Sequence, residues 1–199
     1  FLVVSHAQIH RLFPNIPLIV PEVNFRDLKL LEKQFDTADG RLISCSNCTV
    51  APIAITLAPL MKICSISSVR IATEQALSGG GRKLLAKAHS GEVIASEIPG
   101  EAESVVNELT KILSSDFPIE AECKRVTRDH GHYARIEVEF EDSISAHQVI
   151  HSWQESTTRG QELNLPSAPS RPIVFVDGEL HHDHRWAGVE VADRKSTRL

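Results

Sequence analysis

Two short stretches near the start of the chain are almost entirely apolar, at residues 2–4 and 16–20. Strands that are apolar on both sides belong inside a parallel sheet that is covered on both faces. Apolar positions then recur with helical spacing over residues 25–35, and residues 41–45 form a third predicted strand. This order of strand, crossover and strand predicts the last part of an α/β domain.

The pattern changes after residue 48. A helix is predicted over residues 53–61, and Pro59 should end or kink it. An alternating strand around residues 69–73 leads into glycines at 79–81, and acidic residues from Glu101 onward suit the first turn of an amphipathic helix. The apolar face of this helix consists of Val105, Val106, Leu109, Ile112 and Leu113.

Two long stretches of alternating polarity follow, at residues 117–126 and 132–140. They predict antiparallel strands with helices on one face, which is an α+β arrangement. A helix capped by Ser143 comes next, then a polar loop over residues 154–170 and a last strand at 172–176. The second part of the chain is therefore predicted to differ in architecture from the first.

Composition narrows the function classes. The net charge is −5 with a pI near 6.1, and no basic run occurs, which argues against binding to duplex nucleic acid. The apolar run at 50–61 is too short to span a bilayer. Four irregularly spaced cysteines favour a reducing, intracellular setting, so we expect a cytoplasmic protein, or a stromal one in a plastid.

Cys48 lies where an apolar stretch ends in small polar residues and an alanine- and leucine-rich stretch begins. This places its thiol on a turn between a strand and a helix. The unpaired N–H groups and the positive dipole end of a helix start favour an anion, so they stabilise a thiolate. The pattern predicts a nucleophile, and the alternative is a small buried apolar residue.

Four features with complementary chemistry occur in order along the chain. They are Cys48, Gln75 before a glycine-rich loop, the acidic helix start at Glu101, and Arg125 with His132 at a turn between strands. A thiolate nucleophile needs a general acid or base, a polar group that orients the acyl group, and charged partners for the substrate. Each of these needs has a candidate here.

The same stretches resemble aspartate-semialdehyde dehydrogenase, in particular the branch found in archaea and fungi. The matching motifs are IPLIVPEVN at 16–24, SNCT at 46–49, QALSGGG at 75–81, IPGE at 98–101, and RV and GH at 125–126 and 131–132. The resemblance implies an NADP-dependent enzyme that reductively dephosphorylates L-4-aspartyl phosphate to L-aspartate 4-semialdehyde. That product leads to lysine, threonine and methionine.

The resemblance also implies catalytic roles. Cys48 would attack the acyl carbon and form a thioester, with Asn47 near the developing oxyanion. Gln75 would orient the acyl group, and His132 matches the acid/base histidine of the family. Each of these residues also has a simpler explanation as a structural or solvated side chain.

Binding roles follow from the same resemblance. Arg125 matches the arginine that binds the α-carboxylate of the substrate, because a guanidinium fits a carboxylate well. Glu101 matches the acid that holds the α-amino group, and Arg11 aligns with an arginine expected to face phosphate. Ser78 and Gly79 correspond to the loop that approaches the coenzyme, where a missing side chain permits close backbone contact.

The chain departs from the family pattern at several positions. Ser104 stands where the family has a phosphate-binding lysine, and Arg128 either compensates or faces solvent. Cys45 makes a C-x-x-C with Cys48, which outside a thioredoxin-type context is a weak indication of redox chemistry. The histidines at 181–184 are adjacent in one run and rarely converge on one ion, so no metal site is predicted.

No glycine-rich dinucleotide motif occurs after a first strand, so we expect a partial chain. The resemblance implies the end of a Rossmann NADP-binding domain at 1–46. A glyceraldehyde-3-phosphate-dehydrogenase-like α+β catalytic and dimerisation domain would occupy 47–185, and a return segment or non-native tail 186–199. A homodimer or homotetramer is expected. The alternatives are a malonyl-coenzyme A reductase-like enzyme and an inactive chain that only dimerises.

Overall fold

The structure is a computed structural model that describes residues 1–34, 40–166 and 168–176. Its strands are β1 (Leu2–Ser5), β2 (Leu18–Ile19), β3 (Arg41–Cys45), β4 (Ile66–Gln75), β5 (Ile119–Arg125) and β6 (His132–Phe140). Its α-helices are α1 (Pro21–Asn24), α2 (Val50–Leu60), α3 (Gly81–His89), α4 (Glu101–Leu113), α5 (Ala146–Gln154) and α6 (Arg159–Glu162). Short 3-10 helices cover Gln8–His10, Phe25–Lys33 and Leu77–Gly80.

The first sheet is parallel, in the order β1-β3-β2. This confirms the α/β pattern predicted for the start of the chain, although β2 is shorter than the predicted strand over residues 16–20. Pro17 has no N–H to donate to a strand ladder, and Val20 already precedes α1. The helix predicted over 25–35 is a 3-10 helix over Phe25–Lys33, and Phe35 lies outside the described residues.

The second sheet has the order β5-β4-β6, with β5 parallel and β6 antiparallel to β4. The prediction of one antiparallel arrangement is therefore wrong for β5. Alternating polarity indicates which face of a strand is buried, but it does not indicate the neighbouring strand or its direction. β4, with ten residues, lies between β5 and β6 and pairs with both.

One apolar core joins the two sheets. The inner face of β4 packs beneath α2 and α4, and Leu18 and Val20 from the first sheet enter the same cluster. The most buried members are Leu18, Val50, Ile53, Leu57, Val69, Val105 and Leu109. The outer face of the second sheet is polar, and Arg70 lies there between Glu120 and Glu139. The start of α2, β2 and α4 are thus held by a shared set of contacts.

The last described elements correct three predictions. Ser145, and not Ser143, caps α5, because its Oγ accepts the N–H of Gln148 at 3.2 Å. The predicted loop over 154–170 contains α6, whose start is stabilised by Thr158. Residues 172–176 do not form the predicted strand. Within the described residues, no helix has the length and apolar character needed to cross a membrane.

Candidate active site

The pairing of the second sheet aligns three predicted site residues in one row. Gln75, the last residue of β4, lies opposite Arg125 of β5 on one side and His132 of β6 on the other. Backbone hydrogen bonds extend this end of the sheet, since Val126 donates its N–H to the carbonyl of Gln75 at 2.9 Å. Residues that are separated by up to 57 positions in the chain therefore meet at one end of the sheet.

Asn47 builds the turn that carries Cys48. Its carbonyl accepts the N–H groups of Val50 at 3.0 Å and Ala51 at 3.3 Å, and its Oδ1 accepts the N–H of Thr49 at 2.9 Å. These bonds satisfy N–H groups that a helix start otherwise leaves open. The structure thus confirms that Cys48 lies on a turn from β3 into α2, and the residue is exposed there.

A single carboxylate oxygen brings the site together. Oε1 of Glu101 accepts hydrogen bonds from Asn47 Nδ2 at 3.0 Å, Thr49 Oγ1 at 3.3 Å and Gln75 Nε2 at 3.5 Å. Glu101 is also close enough to Cys48 to raise the pKa of its thiol. Four residues predicted from the sequence, Asn47, Cys48, Gln75 and Glu101, are therefore neighbours in space.

The ionisation of Cys48 differs from the expectation. Although part of the Cys48 side chain is open to solvent, the protein atoms packed around its sulfur desolvate the thiolate. This desolvation, followed by the negative charge of Glu101, raises the pKa of the thiol above its usual value. Hydrogen bonds from Thr49 and from the backbone lower it, but they are outweighed. The predicted helix-start thiolate is therefore wrong for the resting site: near neutral pH, Cys48 is a thiol.

His132 is neutral in the resting site as well. Burial, together with the positive charges of Arg125 and Arg128, lowers its pKa from 6.5 to about 4. Its Nδ1 lies 3.4 Å from Thr49 Oγ1, the same hydroxyl that donates to Glu101. Cys48 and His132 are thus both uncharged, and Thr49 links the histidine to the Glu101 carboxylate.

The two arginines beside His132 are both anchored. Arg125 Nη1 donates to the carbonyl of Ala76 at 3.1 Å. Arg128 Nη1 lies 3.3 Å from Glu74 Oε2, so the side chain that was predicted to compensate or to face solvent forms an ion pair. Their charges act on the histidine from the same end of the sheet, which favours its neutral form.

The loop after Gln75 is tied to the turn between β5 and β6. The N–H groups of Leu77 and Ser78 donate to the carbonyls of Arg128 at 2.8 Å and Asp129 at 2.9 Å. A Cβ at Gly79 would lie 2.6 Å from Gln75 Cδ, which is closer than real Cβ contacts allow. The missing side chain at Gly79 therefore makes room for Gln75, a reason that the sequence did not suggest.

Thr49 and Glu108 are site residues that the sequence reasoning missed. Thr49 belongs to the SNCT motif at 46–49, but the motif indicated no role for its hydroxyl. Glu108 follows Glu101 and Ser104 at helical spacing, and Lys111 comes three residues later. A polar stripe of this kind on an amphipathic helix is typical of a solvated face, so the pattern alone did not single out Glu108.

The described residues contain no group of three or more histidine, cysteine or acidic side chains that could hold a metal ion. The histidines at 181–184 lie outside the described residues. Cys45 and Cys48 are both free thiols. Burial raises the pKa of Cys45, and the nearby charge of Arg11 opposes that shift.

No protein-family model matches the chain. It is 30% identical over 207 residues to a malonyl-CoA reductase (NADP) of Metallosphaera sedula, covering 94% of this chain and 57% of that protein. It is also 30% identical over 190 residues to the aspartate-semialdehyde dehydrogenase of Methanothermobacter thermautotrophicus, covering 90% of this chain and 55% of that protein. A structure of aspartate semialdehyde dehydrogenase with NADP from Candida albicans superposes with a TM-score of 0.71 at 25% identity, covering 86% of this chain and 53% of that one.

The chain is a relative of the aspartate-semialdehyde dehydrogenases. This confirms the resemblance seen in the sequence, with relatives in an archaeon and in a fungus. The chain spans about half the length of the curated relatives it matches. The predicted division at residues 46 and 185 stays a prediction, because no observation tests it.

Two positions depart in structure from what the resemblance to aspartate-semialdehyde dehydrogenase implies. Arg11, expected to face phosphate, has its guanidinium bonded to Glu108 Oε1 at 2.8 Å and to the carbonyl of His6 at 3.1 Å. Ser104, in place of the family lysine, is buried and donates to the same Glu108 oxygen at 2.8 Å. These contacts are internal to the protein, so a phosphate-binding role for Arg11 stays a prediction.

Proposed function

We propose that this chain provides the nucleophilic cysteine of an NADP-dependent aspartate-semialdehyde dehydrogenase. The enzyme would convert L-4-aspartyl phosphate to L-aspartate 4-semialdehyde through a thioester on Cys48. The observation that carries the proposal is the convergence of Cys48, Asn47 and Gln75 on Glu101, with His132 joined to them through Thr49. The kinship with aspartate-semialdehyde dehydrogenases supports the same assignment.

The proposed first step is general-base attack by a neutral thiol. A carboxylate only accepts hydrogen bonds, so while Cys48 is a thiol the Thr49 hydroxyl donates to Glu101 and receives the Nδ1–H of His132. The neutral histidine then has a free lone pair on Nε2. Cys48 Sγ attacks the acyl carbon, its proton moves to His132 Nε2, and the C–O bond to phosphate breaks with its electrons leaving on the phosphate oxygen.

Substrate binding is proposed for the two charged residues of the site. Arg125 uses one N–H group on Ala76, and a guanidinium has five, so it retains donors for the α-carboxylate. Glu101 is assigned the α-amino group. Asn47 and Gln75, whose carboxamides reach Glu101 in this structure, are assigned the orientation of the acyl group and its oxyanion.

NADP is the proposed coenzyme, and the relatives whose names include it support this assignment. When bound, it would supply the hydride that reduces the thioester. The predicted coenzyme contacts at Ser78 and Gly79 fit only in part. The Ser78 N–H is already donated to Asp129, and the space at Gly79 is filled by Gln75. We therefore assign no hydride-transfer role to the described residues.

A malonyl-CoA reductase-like activity is the second candidate, and one kind of observation favours it. Where the resemblance implies phosphate contacts, Arg11 is paired with Glu108, and Ser104 stands in place of a lysine. A thioester substrate has no acyl phosphate group, so these internal contacts would not weaken its binding. The third candidate is a chain without activity that only dimerises.

Intact mass spectrometry after brief incubation with each acyl donor separates these candidates. With L-4-aspartyl phosphate, we expect an aspartyl thioester on Cys48 and released phosphate. A malonyl adduct from malonyl-CoA, without an aspartyl adduct, assigns the second candidate. The Cys48→Ser protein controls for acylation elsewhere. No adduct from either donor, with the fold intact by circular dichroism, would contradict both enzyme assignments.

A further inference from the structure

The carboxylate of Glu108 is nearly inaccessible to solvent, with 1% of the residue exposed. Its oxygens have separate partners. Oε1 accepts Arg11 Nη1 and Ser104 Oγ, both at 2.8 Å, and Oε2 accepts the backbone N–H of Asn47 at 2.7 Å. A buried carboxylate is stable only when it is paired with an opposite charge and hydrogen-bonded. Arg11 supplies the opposite charge, and Ser104 and the Asn47 N–H supply further hydrogen bonds.

The hydrogen bond from the Asn47 N–H to Glu108 is relevant to function because of the position of Asn47 in the chain. Asn47 directly precedes Cys48, and its own side chain donates to Glu101 and accepts the N–H of Thr49. Glu108 is thus bonded to the backbone that sets the direction of both the Cys48 thiol and the Asn47 carboxamide. The bond joins residues 61 positions apart, so α4 and the turn are fixed to each other.

A second set of hydrogen bonds ties the segment that carries Arg11 to α4. Lys111, one turn beyond Glu108, donates from Nζ to the carbonyls of Arg11 at 2.8 Å, Phe13 at 2.7 Å and Ile16 at 2.9 Å. The segment that carries Arg11 is therefore anchored to α4. Arg11 is only 12% exposed in its side chain, and its charge is matched inside the protein.

We propose that Glu108 is a positioning residue for the Cys48 turn, and that Arg11 acts through it by pairing with this buried carboxylate and orienting it. The inference rests on the proposed role of Cys48 as the nucleophile. It assigns Arg11 a part in the construction of the site.

Two double variants separate positioning from general stability. Arg11→Met with Glu108→Leu replaces the ion pair by apolar side chains, a change that many folds tolerate, but leaves the Asn47 N–H without an acceptor. Arg11→Met with Glu108→Gln removes the same charges and keeps a carbonyl oxygen at position 108 for that N–H. Ser104→Ala is the control that removes another Glu108 contact and leaves Asn47 bonded.

Two readouts report on the turn itself. Amide hydrogen exchange at Asn47, measured by NMR, should become about tenfold faster or more in the leucine variant and stay within about twofold of the parent in the glutamine variant. The pH profile of Cys48 alkylation should shift toward that of an ordinary thiol in the leucine variant alone, because the turn no longer holds the thiol beside Glu101. Ser104→Ala should match the parent in both.

Equal exchange rates and equal alkylation profiles in the two double variants would overturn the inference. Unfolding of both would overturn it too, since it would assign the ion pair to the stability of the whole fold. The acylation experiment stays independent. If parent Cys48 accepts no acyl group, the proposed function fails, while the exchange rate at Asn47 still decides whether Glu108 positions the turn.

Discussion

The pH dependence of stability tests the environment of His132 directly. Its pKa is lowered from 6.5 to about 4, first by burial and then by the charges of Arg125 and Arg128. Between these values the unfolded chain binds a proton that the folded chain does not. The free energy of unfolding therefore includes the full contribution of neutral His132 above the unfolded pKa and loses it as the pH falls toward the folded pKa.

The size of this effect follows from linkage. A depression of roughly two and a half pKa units corresponds to about 3 kcal/mol over the whole window, and about 2 kcal/mol of it falls between about pH 7 and about pH 5. His132→Gln removes the titrating group and keeps a polar side chain. The difference in unfolding free energy between parent and variant should therefore shrink or reverse by about that amount as the pH is lowered.

Urea denaturation of both proteins at several pH values measures this difference. His6→Gln is the matched control, because His6 is exposed and lies away from the three-strand row. A difference between parent and His132→Gln that stays constant over this pH range would refute the reasoning. It would mean that folding does not lower the pKa of His132, and the proposal of a neutral histidine as the base would lose its support.

Three further changes test contacts in and beside the site. Thr49→Val should lower the free energy of unfolding by about 1 kcal/mol and Thr49→Ser by less, because only valine abolishes the link to His132; urea titration measures both. Gly79→Ala should cost about 2 kcal/mol by forcing its Cβ against Gln75, and adding Gln75→Ala should recover much of this in thermal unfolding. Lys111→Met should cost about 2 kcal/mol in urea by leaving three carbonyls without their donor, with proteolysis increasing at residues 11–16.

Local patterns account for what the sequence predicted well. The turn at Cys48 and the start of α4 at Glu101 are each determined by a few adjacent residues, and both have the expected form in the structure. The shared row of Gln75, Arg125 and His132 could not be derived in this way. It depends on strand partners and register, which alternation along a single strand does not specify.

Electrostatic states were also beyond the reach of the sequence. The helix-start argument for a thiolate at Cys48 considered only the dipole, whereas burial and the charge of Glu101 act in the opposite direction and prevail. Glu108 was overlooked for a related reason. In a one-dimensional pattern an acidic residue on an amphipathic helix indicates a solvated face, and only the fold shows that it is enclosed with Arg11.

The row formed by Gln75, Arg125 and His132 has a consequence for how the sequence can vary among related proteins. Side chains alternate between the two faces of a strand, so adding or deleting one residue inside β4, β5 or β6 turns that strand's member of the row away from the other two. Length changes should therefore be confined to the connections, such as the segment between α3 and α4. An alignment of relatives would then show gaps clustered there and strands of constant length, whichever substrate each relative uses.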